Sequence, residues 1–252
     1  MTKIKNQELG IRNKKLLIIS GPTASGKTAL AIKLAREFNG ELVSADSRQV
    51  YQGMNIVTGK DIGKSKCKER FPMSMRLTAD RLKNDKLMIG YYEISRVKLW
   101  GLDLVKPDQE FDVLQFLQFA KDIITNILNR GKLPIIVGGT GFYIRALLKP
   151  YETIGISVNK KLRQQLSQLT IEKLQEKLKQ LNKERFNQMN QSDCNNPRRL
   201  VRAIEIELGK KDSHYQLPVT NYDFLWLGLQ VDSETLKQKI EKRVEQRITQ
   251  GA

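Results

Sequence analysis

Hydrophobic residues in the first 150 positions form short continuous runs, each followed by a stretch with helical spacing. The runs at 16–19 and 133–137 are typical of buried parallel strands. Each leads through glycines into apolar residues spaced as on one helix face, at 29–38 and 141–148. The pattern predicts two strand–glycine–helix units and an α/β fold with a parallel sheet flanked by helices.

Between these two units the chain alternates strand-like and polar stretches. The short apolar run at 42–43 predicts a second strand, and residues 87–94 and 97–105 have strand composition. Residues 57–75 are rich in Gly, Lys and Ser and predict a loop. A helix should follow, with Asp112 as its N-cap.

The pattern changes to amphipathic helices at about residue 153, and strand composition returns only at 223–231. Leucines at helical spacing dominate this stretch, and Pro197 is well placed to begin a helix. We therefore predict an α/β core made of 14–152 and 223–252, interrupted by a helical insertion domain at 153–222.

The turn after the first strand carries a phosphate-binding pattern, G-x-x-x-x-G-K-[ST]. Backbone N–H groups of the turn and the helix N-terminus favour an anion at one spot. Lys27 adds a mobile positive charge, and Thr28 offers a hydroxyl to a Mg²⁺ that would share the phosphates. The predicted phosphate or diphosphate site consists of Gly21, Pro22, Thr23, Ala24, Ser25, Gly26, Lys27 and Thr28.

Two further segments should lie at the same edge of the sheet. Asp46 follows the second strand, and Gly138-Gly-Thr-Gly141 follows the later apolar run. Ligands of open α/β sheets bind outside the carboxyl ends of the strands. We therefore expect Asp46 to face the phosphate loop; an aspartate that only caps its own turn is the alternative.

The charge of the chain points to a polyanionic partner. Lys and Arg number 44 against 27 Asp and Glu, which gives a net charge of +17. Nucleic acid is the simplest such partner, and a merely solvated lysine-rich surface is the alternative. The single histidine, His214, argues against a zinc site, and the separated Cys67 and Cys194 suggest a reducing, cytoplasmic setting. No apolar run approaches the ~18 residues of a membrane span, so no membrane association is expected.

Four motifs, taken in order, resemble those of the tRNA dimethylallyltransferases, the isopentenyl-tRNA transferases of bacteria. They are GPTASGKT at 21–28, SADSRQVY at 44–51, GGTGFY at 138–143 and PRRLVRAIE at 197–205. The resemblance implies a P-loop NTPase-like fold and a cytoplasmic, monomeric enzyme. It also implies transfer of a dimethylallyl group from dimethylallyl diphosphate to N6 of adenosine 37, in the anticodon stem-loop of tRNA, with Mg²⁺ as cofactor.

The resemblance also implies roles for matched residues. The P-loop holds the donor diphosphate, Asp46 receives a proton from the adenine amine, and Thr23 and Arg243 contact the leaving diphosphate or the reacting centre. A positioned carboxylate helps a poor amine nucleophile, and cations stabilise a departing diphosphate. Contacts to tRNA are implied for Asp46, Ser47, Arg48, Gln49, Thr140, Arg163, Arg198, Arg199, Leu200, Val201 and Arg202.

The chain departs from the family pattern in places. The usual Pro-His-His-Leu-Ile-Asp is Lys-Leu-Trp-Gly-Leu-Asp at 98–103, and the common Ile-Gly-Thr-Ala-Lys is Ile-Val-Thr-Gly-Lys at 56–60. The Thr-Gly that often follows the arginine-rich helix is Leu208-Gly209. Family members also continue past Gly251 with helices that close the core, so we expect a chain truncated at its C-terminus.

Two other classes of protein fit parts of the pattern. A small P-loop kinase would bind ATP and use Asp46 to orient an acceptor hydroxyl, but the run at 135–137 ends without a Walker-B-type aspartate. A non-enzymatic RNA-binding protein would not require Asp46, Thr23 and Arg243 together. Separate incubations with ATP, and with dimethylallyl diphosphate plus tRNA, discriminate these classes.

Overall fold

The chain divides into two compact units, 1–149 with 219–252, and 150–218. A computed structural model describes residues 15–60, 62, 65–73, 87–149, 151, 153–156, 158–209 and 222–249.

A seven-stranded sheet organises the described part of the first unit. Its strands lie in the order β3-β4-β5-β2-β6-β1-β7, and the five from β5 to β7 run parallel, while β3 and β4 form an antiparallel edge. The P-loop-type parallel sheet is thus confirmed for five strands, and β7, which was predicted to rejoin this sheet, pairs beside β1. The strands are β1 (Lys15–Ser20), β2 (Gly40–Ser44), β3 (Lys68–Met73), β4 (Leu87–Ile94), β5 (Val97–Trp100), β6 (Leu133–Gly138) and β7 (Asp223–Gly228).

Helices flank the sheet and form the second unit. Asp112 caps α3 as predicted, accepting from the backbone N–H of Gln115 while the Gln115 side chain accepts from Asp112 in return. Helices α1 to α4 and α10 belong to the first unit, and α5 to α9 to the second. They are α1 (Lys27–Glu37), α2 (Asn55–Thr58), α3 (Val113–Asn129), α4 (Gly141–Leu148), α5 (Lys160–Leu166), α6 (Ile171–Leu181), α7 (Lys183–Asn187), α8 (Gln191–Cys194), α9 (Pro197–Gly209) and α10 (Ser233–Thr249).

Two local predictions are wrong. The predicted loop at 57–75 contains the end of α2 and the whole of β3, whose lysine and proline are tolerated because it is an antiparallel edge strand. The predicted strand at 97–105 ends at Trp100, because Gly101 turns into the left-handed region at φ 92°. A Cβ on Gly101 would lie 3.1 Å from the Ser44 carbonyl oxygen, so this turn packs directly on β2.

A buried carboxylate ties β2, β5 and the end of α3 together. Glu41 accepts hydrogen bonds from Arg130 at 2.5 and 2.7 Å, from Lys132 at 2.9 Å and from the Trp100 indole at 2.9 Å. Burial alone would raise the pKa of Glu41, but these donors outweigh it and lower the pKa to about 2. Trp100 is one of the residues at 98–103 that differ from the family pattern, and its indole takes part in this buried hydrogen-bond network.

The second unit has its own hydrophobic core. The predicted leucine spacing is confirmed, since Leu166, Leu174, Leu178 and Leu200 meet there with Ile204. The described residues of this unit form five helices instead of the three predicted, because α7 and α8 span only five and four residues, too few to show a helical period. Asn side chains cap both short helices.

Candidate active site

The P-loop has the backbone conformation that its glycines permit. Gly26 caps α1 in the left-handed region at φ 88°. A Cβ on Gly21 would lie 2.8 Å from the carbonyl oxygen of Leu229, so the loop passes closely over the residues that follow β7. The Lys27 ammonium folds back and donates to the Pro22 carbonyl oxygen at 2.5 Å. The loop therefore encloses a positive charge at the start of α1, as a phosphate cradle requires.

Ser25 supplies direct support for an anion at this loop. Its hydroxyl oxygen is buried and has no hydrogen-bond partner within the described residues. Buried polar groups in folded proteins are otherwise nearly always satisfied. The oxygens of a bound diphosphate would offer the missing acceptor, so the loop fits that group.

The second glycine corner packs directly against the Asp46 turn. The Ser47 N–H donates to the Thr140 hydroxyl at 3.0 Å, and the Thr140 N–H donates to the Ala45 carbonyl oxygen at 3.2 Å. A Cβ on Gly138 would lie only 2.2 Å from that same oxygen, so no larger residue fits there. Thr140, expected to contact tRNA, thus also fixes the main chain beside Asp46.

Asp46 caps its own turn but still has an oxygen open to a ligand, so the two alternatives that the sequence left open do not exclude each other. Its Oδ1 accepts from the Arg48 N–H at 2.9 Å, which is a turn-capping contact. The side chain is only half-buried, and among the described residues its second oxygen accepts no hydrogen bond. The turn therefore orients the carboxylate and leaves one oxygen for a ligand.

Lys27, Asp46 and Arg243 share one electrostatic site. The pKa of Lys27 lies below its ordinary value, chiefly because of burial; the Asp46 carboxylate opposes this shift and the Arg243 guanidinium adds to it. Both groups therefore act electrostatically on the Lys27 ammonium. Thr23 lies on the exposed rim of the same loop. The structure thus brings together the residues for which the resemblance implied roles at the reacting centre.

Arg243 is held by a residue that sequence reasoning missed. Its Nη2 donates to the Gly59 carbonyl oxygen at 3.2 Å, and the Gln49 amide donates to the same oxygen at 3.0 Å. Gly59 ends α2 in the left-handed region at φ 65°. A Cβ there would lie 2.8 Å from Arg243 Nη2 and still closer to Arg247 Nη2, so a glycine leaves room for both guanidinium groups. The signal in the sequence was the glycine where the family commonly has alanine.

The next residue, Lys60, belongs to a buried polar cluster. Its ammonium lies 2.5 Å from Asp103 Oδ1 and also contacts the Tyr51 carbonyl oxygen and, at 3.3 Å, Asn55 Oδ1. Tyr92 donates its hydroxyl to the other Asp103 oxygen. The side chains of Lys60 and Asp103 are 0% and 7% exposed. This cluster fixes the chain immediately after Gly59.

In the second unit, two arginines with implied tRNA contacts share a buried carboxylate. Glu205, 2% exposed, accepts from Arg163 at 3.0 and 2.7 Å, from Arg202 at 2.6 Å and from the Asn159 N–H at 2.7 Å. Burial opposes ionisation, but the bonds from Arg163 and Arg202 outweigh it and lower the pKa of Glu205. Both guanidinium groups remain partly exposed, at 41% and 33%, and are held in fixed positions.

The start of α9 presents its cations differently. Arg198 and Arg199 are exposed, and Arg199 bridges to Asp193 rather than to a glutamate of its own helix. Leu200 is completely buried in the core of the unit, and Val201 packs against it. The expectation of a tRNA contact through the Leu200 side chain therefore conflicts with its burial, since the helical period turns that position inward.

The described residues contain no group of three or more His, Cys, Asp or Glu side chains that could hold a metal ion. No helix within the described ranges is long and apolar enough to cross a membrane.

A P-loop on a parallel sheet, with the Asp46 turn at the same edge, is the arrangement expected of an α/β protein that binds a phosphate-bearing ligand. Family models described as "Isopentenyl transferase" and "IPP transferase" match residues 14–71 and 90–252. The chain belongs to this isopentenyl transferase family, which confirms the resemblance found in the sequence.

Named relatives agree with this assignment. The chain is 38% identical over 236 residues to tRNA dimethylallyltransferase 1 of Geotalea uraniireducens, covering 94% of this chain and 67% of the relative. A solved tRNA isopentenylpyrophosphate transferase of Staphylococcus epidermidis matches with a TM-score of 0.51 and 32% identity, covering 94% and 70%. A eukaryotic dimethylallyltransferase acting on tRNA shares the fold, with a TM-score of 0.65 at 24% identity, over 94% and 53%. The chain spans about two thirds of the length of its curated relatives.

Proposed function

We propose that this protein transfers a dimethylallyl group from dimethylallyl diphosphate to N6 of adenosine 37 in tRNA. The observation that carries the proposal is the Asp46 carboxylate, which follows β2 at the same edge of the parallel sheet as the P-loop that follows β1, in a chain of the isopentenyl transferase family. Binding of a diphosphate alone needs no carboxylate beside the cradle.

The reaction forms a bond between the adenine N6 and the first carbon of the prenyl group while the carbon–oxygen bond to the diphosphate breaks. N6 is a weak nucleophile that becomes positive as it attacks, so a carboxylate within reach accepts its proton. Asp46 has an oxygen for this purpose because Arg48 engages only Oδ1. The target base must leave its stack to reach the donor.

Negative charge grows on the departing diphosphate oxygens. The amides of the loop, Lys27 and Arg243 would stabilise that charge, and Thr23 on the rim would contact the same group. A Mg²⁺ bound to the diphosphate would neutralise further charge, with the Thr28 hydroxyl as its ligand from this chain.

A cytoplasmic location and a monomeric state stay predictions.

The P-loop should serve the prenyl donor, and ATP should not be consumed. A diphosphate satisfies the same cradle, including the buried Ser25 hydroxyl. Incubating the protein with tRNA, radiolabelled ATP and dimethylallyl diphosphate should yield prenylated tRNA and no ADP. ADP released in proportion to product, or a phosphorylated acceptor in place of prenylated tRNA, would favour a P-loop kinase.

The helical unit, predicted at 153–222, should bind the tRNA phosphates. Contacts to phosphates fix the position of a nucleic acid and dominate its affinity. Arg163 and Arg202 are pre-oriented by Glu205, and Arg198 and Arg199 are exposed at the start of α9.

Replacing both Arg198 and Arg199 with Ala should weaken tRNA binding. The magnitude of the slope of log K against log salt concentration should also fall by up to about two units, near one for each phosphate that is no longer neutralised. The affinity for dimethylallyl diphosphate should not change. Titrations at several salt concentrations measure both quantities. Replacing Lys33 and Arg36, two exposed cations of α1, is the control that removes the same charge from the other unit. Equal losses in both double variants would assign the effect to net charge alone.

A further inference from the structure

The position of Arg243 depends on contacts made by its side chain. It lies on α10, where no residue from Ser233 to Thr249 is buried, so the helix is not clamped by core packing. Its guanidinium donates to the Gly59 carbonyl oxygen and also acts on the pKa of Lys27. The Gly59 carbonyl therefore helps to determine where this cation lies at the phosphate site.

That carbonyl is itself held from two directions. The Gln49 Nε2 donates to it at 3.0 Å, while Gln49 Oε1 accepts from the Ser44 hydroxyl at 3.3 Å at the end of β2. The main-chain carbonyl of Gln49 accepts from the Asp103 N–H at 3.2 Å, and the Asp103 carboxylate pairs with Lys60, the neighbour of Gly59. The contacts form a closed ring around the turn.

We infer that Gln49 is a positioning residue: through the Gly59 carbonyl oxygen it holds the Arg243 guanidinium at the diphosphate site. The inference rests on the proposed function and extends it to a residue whose implied role was tRNA contact. The oxygen of the Gln49 amide accepts from Ser44, and one N–H of the same amide donates to the Gly59 carbonyl oxygen. Loss of the bond from Gln49 to Gly59 leaves the Gly59 carbonyl and Arg243 less constrained.

A double-mutant cycle tests this role, with inorganic pyrophosphate and Mg²⁺ as the probe in calorimetric titrations. Gln49→Met removes the donor and keeps the shape; it should weaken pyrophosphate binding roughly 3–10-fold in the parent background, as expected for one hydrogen bond. In an Arg243→Ala background the same change should cost less than about 2-fold, because the residue acts through the arginine.

Two variants serve as comparisons. Gln49→Asn keeps an amide but shortens it, so it should behave as Gln49→Met does. Gln175→Met removes a similar bond, from a glutamine amide to the Cys194 carbonyl at 2.9 Å in the helical unit, and should leave pyrophosphate binding unchanged. All titrations are made at a temperature at which circular dichroism shows every variant folded.

Equal losses in both backgrounds, or an Arg243→Ala variant with parental pyrophosphate affinity, would overturn the inference. Prenyl transfer by the parent is measured separately. A parent that binds pyrophosphate but does not modify tRNA would contradict the proposed function while the cycle still tests Gln49. A parent that binds no pyrophosphate would overturn both.

Discussion

Replacing Asp46 with Asn should slow prenyl transfer in a single turnover by roughly 10²–10⁴-fold, the contribution expected of a positioned base. Asn keeps an oxygen that can accept from the Arg48 N–H, the contact made at 2.9 Å by Asp46 Oδ1. The turn should therefore persist, and tRNA and donor affinities should stay near those of the parent. Only the capacity to take the proton from the adenine amine is removed.

The control for this variant is Asp232→Asn. Asp232 also accepts a backbone N–H through Oδ1, from Thr235 at 2.8 Å at the start of α10, and its side chain is exposed. The single-turnover rate of this variant should stay within about threefold of the parent, since an exposed carboxylate with only a capping contact contributes little. An Asp46→Asn rate inside the same threefold range would remove Asp46 from the role of base.

Replacing Lys60 with Met should lower the free energy of unfolding by about 3–5 kcal/mol, the cost of leaving one partner of a buried ion pair uncompensated. The Lys60 side chain is fully buried, and Asp103 would be left 7% exposed with only the Tyr92 hydroxyl at its carboxylate. Urea denaturation monitored by circular dichroism measures the loss. A second change, Asp103→Asn, should recover part of it because the unpaired charge disappears.

An exposed pair of the same chemistry provides the comparison. Lys68 lies 3.0 Å from Glu93, with side chains 54% and 38% exposed. Lys68→Met should therefore cost no more than about 1 kcal/mol, because solvent screens exposed ion pairs. Similar losses for Lys60→Met and Lys68→Met would mean that the buried cluster does not hold the Gly59 turn.

The strand–glycine–helix units could be predicted from sequence because local signals agree there. Apolar runs, left-handed glycines and helix caps all indicate the same elements, as at Gly26 and Asp112. The antiparallel edge could not be predicted in the same way. Strand β3 is defined by its pairing with β4, a contact between distant segments that composition does not encode.

The site shows the same division. The P-loop and Asp46 follow from motifs, since each lies within one short segment. The Gly59 turn, Lys60 and the shared Glu205 depend on partners 42 to 184 positions away in sequence, and no period or motif indicates such contacts. The local sign of the Gly59 turn in the sequence was the glycine at 59 itself, where the family commonly has alanine.

Mass analysis of adenosine 37 is the most direct test of whether this chain prenylates that nucleoside. Unmodified tRNA is incubated with the purified protein, dimethylallyl diphosphate and Mg²⁺, then digested to nucleosides and fragments. We expect a mass increase of one dimethylallyl group on N6 of adenosine 37, which Asp46→Asn should nearly abolish. Unmodified adenosine 37 after complete incubation with a folded, tRNA-binding parent would contradict the proposed function.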